Sequence, residues 1–170
     1  MFVKEKYAYN LVVHSITSDD YVHVSELYAT SIKNNAKGFI QDFDYHGPII
    51  KQYRRFKNDG GDLLIAKHNN QVVGMGALKP ISKLRVELCK LHVHPNYQGY
   101  GFGKDLTRHL MKRAKELSFN IIELNVTKTQ KAAIRLYHKL GFKEINSVLH
   151  KINVGGEIVS FDTIDMEKVI

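Results

Sequence analysis

The chain has 170 residues, 44% of them hydrophobic, and a formal net charge of +8 from 25 Lys and Arg against 17 Asp and Glu. That length suits one domain, residues 1–170, able to bury roughly 70% of its unfolded surface. No apolar run approaches the roughly 18 residues of a membrane span, and the single Cys89 excludes an internal disulfide framework, so a soluble cytoplasmic protein with no membrane partner is expected.

The opening segment Met1–Tyr9 mixes Lys, Glu and Tyr and has no apolar core of the kind a leader needs. Basic residues are scattered along the chain and form no Lys/Arg block. The charge therefore fits a polyanionic small ligand better than a nucleic acid. Asn10 to Ile16 reads as a first strand, and Thr17-Ser18-Asp19-Asp20 has the S/T-x-x-D/E pattern that opens a helix, with Val24, Leu27, Tyr28 and Ser31 at helical spacing behind it. From Lys33 to Asp59 the pattern is irregular until a helix at Ile49 to Phe56. Asp44, Tyr45 and His46 in that stretch read equally as pocket groups or as a solvated loop.

Asp59-Gly60-Gly61 marks a turn, and Leu63-Leu64-Ile65-Ala66 and Val72 to Leu78 read as an antiparallel hairpin turning at His68-Asn69-Asn70-Gln71. Gly74 and Gly76 share a face of the second strand, where small residues either admit a close neighbour or mark a bulge. Val86 to Val93 is the next strand. Simple alternation puts Glu87, Cys89, Leu91 and Val93 on one face and Leu88, Lys90 and His92 on the other. A glutamate opening an apolar face needs a reason; it is either an exposed strand end, an ion pair with Lys90 or Arg85, or a working carboxylate. Cys89 has no His and acid partners nearby in sequence and reads as a small core residue. His92 and His94 alternate on a strand, but two histidines without further ligands are no metal site, and no metal is expected.

Tyr97-Gln98-Gly99-Tyr100-Gly101-Phe102-Gly103-Lys104 lies between that strand and an amphipathic helix whose stripe is Leu106, Leu110, Ala114 and Leu117. Glycine lets a backbone curl against a ligand, and the helix start behind it presents unpaired N–H groups and a partial positive charge, which together suit a phosphate. The spacing is neither a dinucleotide fingerprint, whose third glycine would fall at Lys104, nor a P-loop, which would need Gly at Gln98 and Ser or Thr at Asp105. Asn120 to Val126 then reads as a strand, and Ala133, Leu136, Tyr137 and Leu140 as a helix stopped by Gly141. Two final strands, Lys143 to Ile152 and Ile158 to Met166, join at Val154-Gly155-Gly156.

Two of these stretches carry a resemblance. Gln98-x-x-Gly101-x-Gly103 is similar to the Q/R-x-x-G-x-G/A acyl-CoA loop of the GNAT superfamily of N-acetyltransferases, and Ala133-Ile134-Arg135-Leu136-Tyr137-His138-Lys139-Leu140-Gly141-Phe142 resembles its A-I-x-L-Y-x-x-x-G-F signature. The likeness is close from Asp62 onward and only an outline before it. It implies an α/β GNAT fold, a central, mainly antiparallel mixed sheet flanked by helices, with splayed strands holding CoA. It further implies direct transfer of an acetyl group from acetyl-CoA, a co-substrate, to the amine of a small molecule, peptide or protein. Dimers are common in that family, so a homodimer is compatible with it.

The resemblance also assigns roles. Gln98, Gly99, Tyr100, Gly101, Phe102, Gly103 and Lys104 would grip the pyrophosphate. The pantetheine arm would lie between the strand of Leu91, His92 and Val93, whose main-chain N–H groups would polarise the thioester carbonyl, and the strand of Asn125. Glu87 stands where many members carry a general base, and Tyr137 would protonate the departing thiolate. Gln130 replaces an asparagine that the family often has three residues before the alanine. The remaining readings are a non-catalytic acyl-CoA sensor and a basic nucleic-acid-binding protein, the latter requiring steeply salt-dependent binding.

Overall fold

The computed structural model describes residues 10–34 and 46–170; Met1–Tyr9 and the pocket candidates Asp44 and Tyr45 lie outside them. The described elements are β1 (Leu11–Ser15), a 3-10 turn (Ser18–Asp20), α1 (Tyr21–Lys33), α2 (Ile49–Asn58), β2 (Asp62–His68), β3 (Gln71–Pro80), β4 (Arg85–Val93), a 3-10 turn (Pro95–Tyr97), α3 (Phe102–Glu116), β5 (Ile121–Thr127), α4 (Lys131–Lys139), β6 (Lys143–Val154) and β7 (Glu157–Val169). The strands form one seven-stranded sheet in the order β1-β2-β3-β4-β5-β7-β6. Every neighbouring pair is antiparallel except β4 and β5. This is the mixed, mainly antiparallel sheet flanked by helices that the resemblance implies.

Each face of the sheet has its own core. Phe102, Leu106, Leu110 and Ala114 of α3, four residues apart, pack with Tyr137 of α4 on Leu64, Val73, Val86, Leu88 and Ile122. Val24, Leu27, Tyr28 and Ile32 of α1 and Ile49, Tyr53 and Phe56 of α2 pack on Leu63, Ile65, Met75 and Ala77. Alternate residues of β2 therefore enter opposite cores, the period-2 pattern of a strand buried on both faces.

Polar groups fix how the helices meet this sheet. Asp20 accepts from the Thr17 N–H at 2.9 Å and hydroxyl at 2.8 Å, closing the turn before α1 that the sequence pattern predicts, and Lys67 of β2 reaches it at 2.7 Å. Burial alone would raise the Asp20 carboxyl, but the bonds from Lys67 and Thr17 outweigh it and hold it down to about 2. Asp62, fully buried at the start of β2, accepts from Ser15 at 2.7 Å and Arg113 Nε at 2.8 Å, with Lys57 Nζ at 3.6 Å, so one carboxylate ties β1, α2 and α3 together. The sequence reading saw only the neighbouring turn at Asp59-Gly60-Gly61, because these partners are far apart along the chain.

The expected alternation of β4 is overturned. Met75 pairs with His92 but Ala77 with Cys89, so Gly76 alone opposes Lys90 and Leu91. This is a β-bulge, and Lys90 takes its left-handed conformation at φ 54°. The extra residue reverses the facing of everything after it. Leu91 and Val93 join Leu88 against the α3 core, while Cys89 and His92 lie on the α1 side, His92 with its ring 5.5 Å from that of Tyr28. Gly76 is required for close approach as well: an added Cβ would stand 2.5 Å from Leu110 and 3.3 Å from Leu91. Both readings of the small residues in β3 thus hold at this position.

Candidate active site

β4 and β5 pair over only three positions, Arg85–Ile121, Val86–Ile122 and Glu87–Glu123. Past Glu87 they part. The gap forms a cavity of about 150 Å³ lined by Leu88, Cys89, Lys90, Leu91 and His92 of β4, Asn125 and Val126 of β5, and Gln130, Ala133 and Tyr137. From Leu88 on, the edge of β4 facing β5 has no strand partner among the described residues, so its backbone is available to an extended ligand. Of the predicted site residues, Leu91, His92, Asn125, Gln130 and Tyr137 are brought together here, and Val93 stands at the strand end beyond them.

Within the gap the side chains differ in what they can do. Asn125 Nδ2 donates to Thr163 at 2.8 Å and Asp165 at 2.6 Å, so its amide is committed to β7. The Gln130 Oε1 accepts from the Thr127 N–H at 3.3 Å at the start of α4. Tyr137 is 6% exposed, packed edge-on against Phe142 at 5.6 Å, and its hydroxyl makes no hydrogen bond among the described residues. Burial, with the neighbouring Cys89 thiol, pushes this phenol far above its usual range, so it is a donor at every physiological pH. Burial likewise pushes the Cys89 thiol up to about 12, Glu87 adding to the effect, and pushes His92 down to about 4, helped by Lys90 and His46. At pH 7 the histidine is neutral and the Cys89 thiol stays protonated.

The loop after β4 is built as a turn into α3. Gly101, at φ 93° with nothing near its missing Cβ, precedes the helix, and the first bond of the helical ladder is Asp105 N–H to the Gly101 carbonyl. The N–H groups of Gly103 and Lys104 precede that bond and lie outside the ladder, the arrangement that suits a phosphate. Gly99 also has positive φ, whereas Gly103 contacts Val93 and Leu136 at ordinary distances, so alanine would fit there. Gln98 Nε2 donates to the Val93 carbonyl at 3.0 Å, tethering the loop to the end of β4. Tyr100 and Phe102 rings lie 6.4 Å apart.

Glu87 sits where the strands separate, half-buried, with Oε2 3.1 Å from Lys79 Nζ. Neither Lys90 nor Arg85 is its partner: Arg85 pairs with Glu123 and Glu167. The sequence reading missed Lys79. Its signal was the hairpin register, since a β3–β4 turn centred on Lys83 sets position 79 opposite 87. Glu87 lines two further cavities. One, about 440 Å³, contains Glu123, Asn125, Asn146 and Asp165; the other, about 410 Å³, lies between α2 and β4 and contains Gln52, Arg55, Lys79, Cys89 and Lys90. Among the described residues no cluster of His, Cys, Asp or Glu could hold a metal ion, and no helix is long and apolar enough to cross a membrane.

Residues 25–142 match the family model described as Acetyltransferase (GNAT) family. The uncharacterized N-acetyltransferase YjgM of Escherichia coli K12 is 30% identical over 100 residues, 57% of this chain and 60% of that protein. The N-acetylaspartate synthetase of Xenopus tropicalis is 35% identical over 107 residues, 62% of this chain and 39% of that protein. The chain thus spans only part of these relatives. In fold it is similar to the Salmonella typhimurium acetyltransferase yncA, solved with its cofactor acetyl-CoA, at TM-score 0.75 and 21% identity, with 94% of each chain covered.

Proposed function

We propose, for a chain that belongs to the acetyltransferase (GNAT) family, that residues 1–170 act as one domain transferring the acetyl group of acetyl-CoA directly to an amine bound beside it. The observation that carries this reading is the parting of β4 from β5 after Glu87, which leaves a lined gap and an unpaired strand edge behind a phosphate-suited helix start. A pantetheine arm fits that gap as an added strand. Gly101, Gly103 and Lys104, with Gln98 holding the loop in place, would take the pyrophosphate, and Leu91 to Val93 would face the thioester carbonyl. Bound acetyl-CoA supplies an activated acyl carbon; the remaining roles fall to the chain.

A lysine-type amine costs about 4 to 5 kcal/mol to reach its neutral form at pH 7, so a base is needed. Glu87 takes that proton through the oxygen that Lys79 leaves uncommitted. Tyr137 donates a hydrogen bond to the departing sulfur. Because burial keeps the phenol protonated, it passes on a full proton only as it receives another. Cys89 is no acyl carrier, since its thiol stays protonated, which supports direct transfer in a ternary complex over a covalent relay. Holding both reactants in one site contributes up to roughly 7 to 11 kcal/mol by orientation.

The test is isothermal titration with acetyl-CoA followed by a free-thiol assay against a panel of amines. Binding with thiol release is expected. Binding without release on every amine would favour a sensor, and absence of binding would overturn the reading.

A further inference from the structure

Glu87 divides two cavities of unlike charge. The one toward β5 and β7 is lined by Glu87, Glu123 and Asp165 with no cation. The one toward α2 carries three cations, Arg55, Lys79 and Lys90, against Glu87 and the exposed Asp59 at the end of α2. Lys79 is occupied by Glu87. The other two have no carboxylate partner among the described residues: Lys90 Nζ donates to the Tyr28 hydroxyl at 3.1 Å, one of its three protons, and Arg55 pairs with no described carboxylate. Arg55 lies near enough to Lys79 for the two charges to oppose one another.

Lys90 is held there at a cost. Its left-handed φ of 54° is a conformation that an ordinary side chain adopts only when the surroundings enforce it, and the bulge opposite Gly76 does so. The result sets a half-buried ammonium on the wall shared by the cationic cavity and the β4–β5 gap, since Lys90 and Cys89 line both. The Tyr28 hydroxyl beneath it also receives Gln52 Nε2 at 3.5 Å, and Gln52 is pinned by the His46 carbonyl at 2.8 Å, so the floor of the cavity is fixed. Exposed Arg55 and half-buried Lys90 thus leave N–H donors free on the same cavity as Glu87, a donor set that suits a carboxylate.

Resting on the acetyltransferase reading above, we infer that the acceptor is a zwitterion, an amino acid whose carboxylate is held by Arg55 and Lys90 while its amine meets Glu87. One ammonium proton leaves to Glu87, the freed amine nitrogen bonds to the acetyl carbon as the carbon–sulfur bond breaks, and the second proton lost by the nitrogen balances the one that Tyr137 relays to the sulfur, which departs as CoA thiol. The products are an N-acetylamino acid and CoA. Polyamines, which carry no anion, are excluded by the same two cations.

The experiment is the thiol-release assay with the L-amino acids, the primary amide of each one that is used, and spermidine. An amide keeps the amine and removes only the negative charge. Free amino acids are expected to exceed their amides roughly 10- to 100-fold in kcat/KM, the worth of a charge-assisted contact. Arg55→Ala should raise KM for the amino acid and collapse that ratio toward one, with Arg55→Lys restoring part of it. Equal use of acid and amide, or turnover confined to amides or spermidine, would each overturn the inference while leaving the acetyltransferase reading standing; acetyl-CoA binding with no acceptor used at all would overturn the inference and favour the sensor. Failure to bind acetyl-CoA would remove both.

Discussion

Lys79 Nζ stands 3.1 Å from Glu87 Oε2 across the β3–β4 pairing, so the candidate base has one oxygen engaged by a cation and Oε1 without a protein partner among the described residues. The row continues through Glu123 and Glu167 to Lys143 on successive strands, and Arg85 bridges the middle two carboxylates. Glu87 is therefore the member of the row left for a substrate. Glu87→Gln keeps the shape and removes the proton acceptor. Turnover at neutral pH should fall roughly 10²- to 10⁴-fold with the acetyl-CoA dissociation constant little changed. A pH–rate profile in this variant that matches the parent removes Glu87 from the mechanism.

Tyr137→Phe removes a hydroxyl that makes no hydrogen bond among the described residues, on a side chain that lines the gap, and leaves the packing against Phe142 intact. A loss of roughly 10- to 10³-fold in kcat, with the melting temperature held, is expected, because the departing sulfur loses its donor. If kcat holds, Tyr137 is a core aromatic and nothing more.

Gly101→Glu places a carboxylate at the start of α3 and forces a side chain into a φ of 93°. No atom lies within 4 Å of the added Cβ, so the cost to the fold is backbone strain and not a clash; the melting temperature reads that strain, and the affinity of the folded variant reads the ligand site. Acetyl-CoA affinity should weaken at least roughly tenfold by titration calorimetry. Unchanged affinity would show that the pyrophosphate lies elsewhere.

Gly76→Val drives a branched side chain into Leu110 and Leu91 at the bulge. Urea unfolding should register a loss of about 1 to 3 kcal/mol. Because Leu91 lines the gap, acetyl-CoA binding should weaken in the same variant, and a wild-type midpoint would show that the bulge relaxes freely.

Acid should unfold the protein in two stages. His92, held down to about 4 against an ordinary value of 6.5, binds its proton more readily when unfolded, so stability falls as pH drops from 6.5 toward 4, by at most about 3 kcal/mol. Asp20, held at about 2, and Asp62, held below its usual value, contribute stability present above about 3.8 and lost as pH falls toward 2. Denaturant midpoints at pH 7.5, 5 and 3 measure both stages. His92→Gln should flatten the first and leave the second, and an unaltered first stage in that variant would rule out His92 as its source.

What the sequence determined by itself is whatever a short stretch of chain decides. The glycine loop from Gln98 to Lys104, the stripe of α3, the Thr17–Asp20 turn and the Tyr137 helix are all local, set by backbone freedom, 3.6-residue periodicity and caps within four residues. They were enough to indicate the fold and to single out the start of α3 as a candidate anion site. Tertiary structure decided what depends on register. One residue of slippage at Gly76 reversed the facing of Leu91, His92 and Val93 relative to Glu87, because the side-chain period of a strand is two and a bulge adds one. It also chose Lys79 as the partner of Glu87, assembled Asp62 with Ser15 and Arg113, and carried Arg55 of α2 to the same cavity as Lys90 of β4. Those pairings join residues 8 to 51 positions apart, and nothing within either stretch alone records which distant stretch will face it.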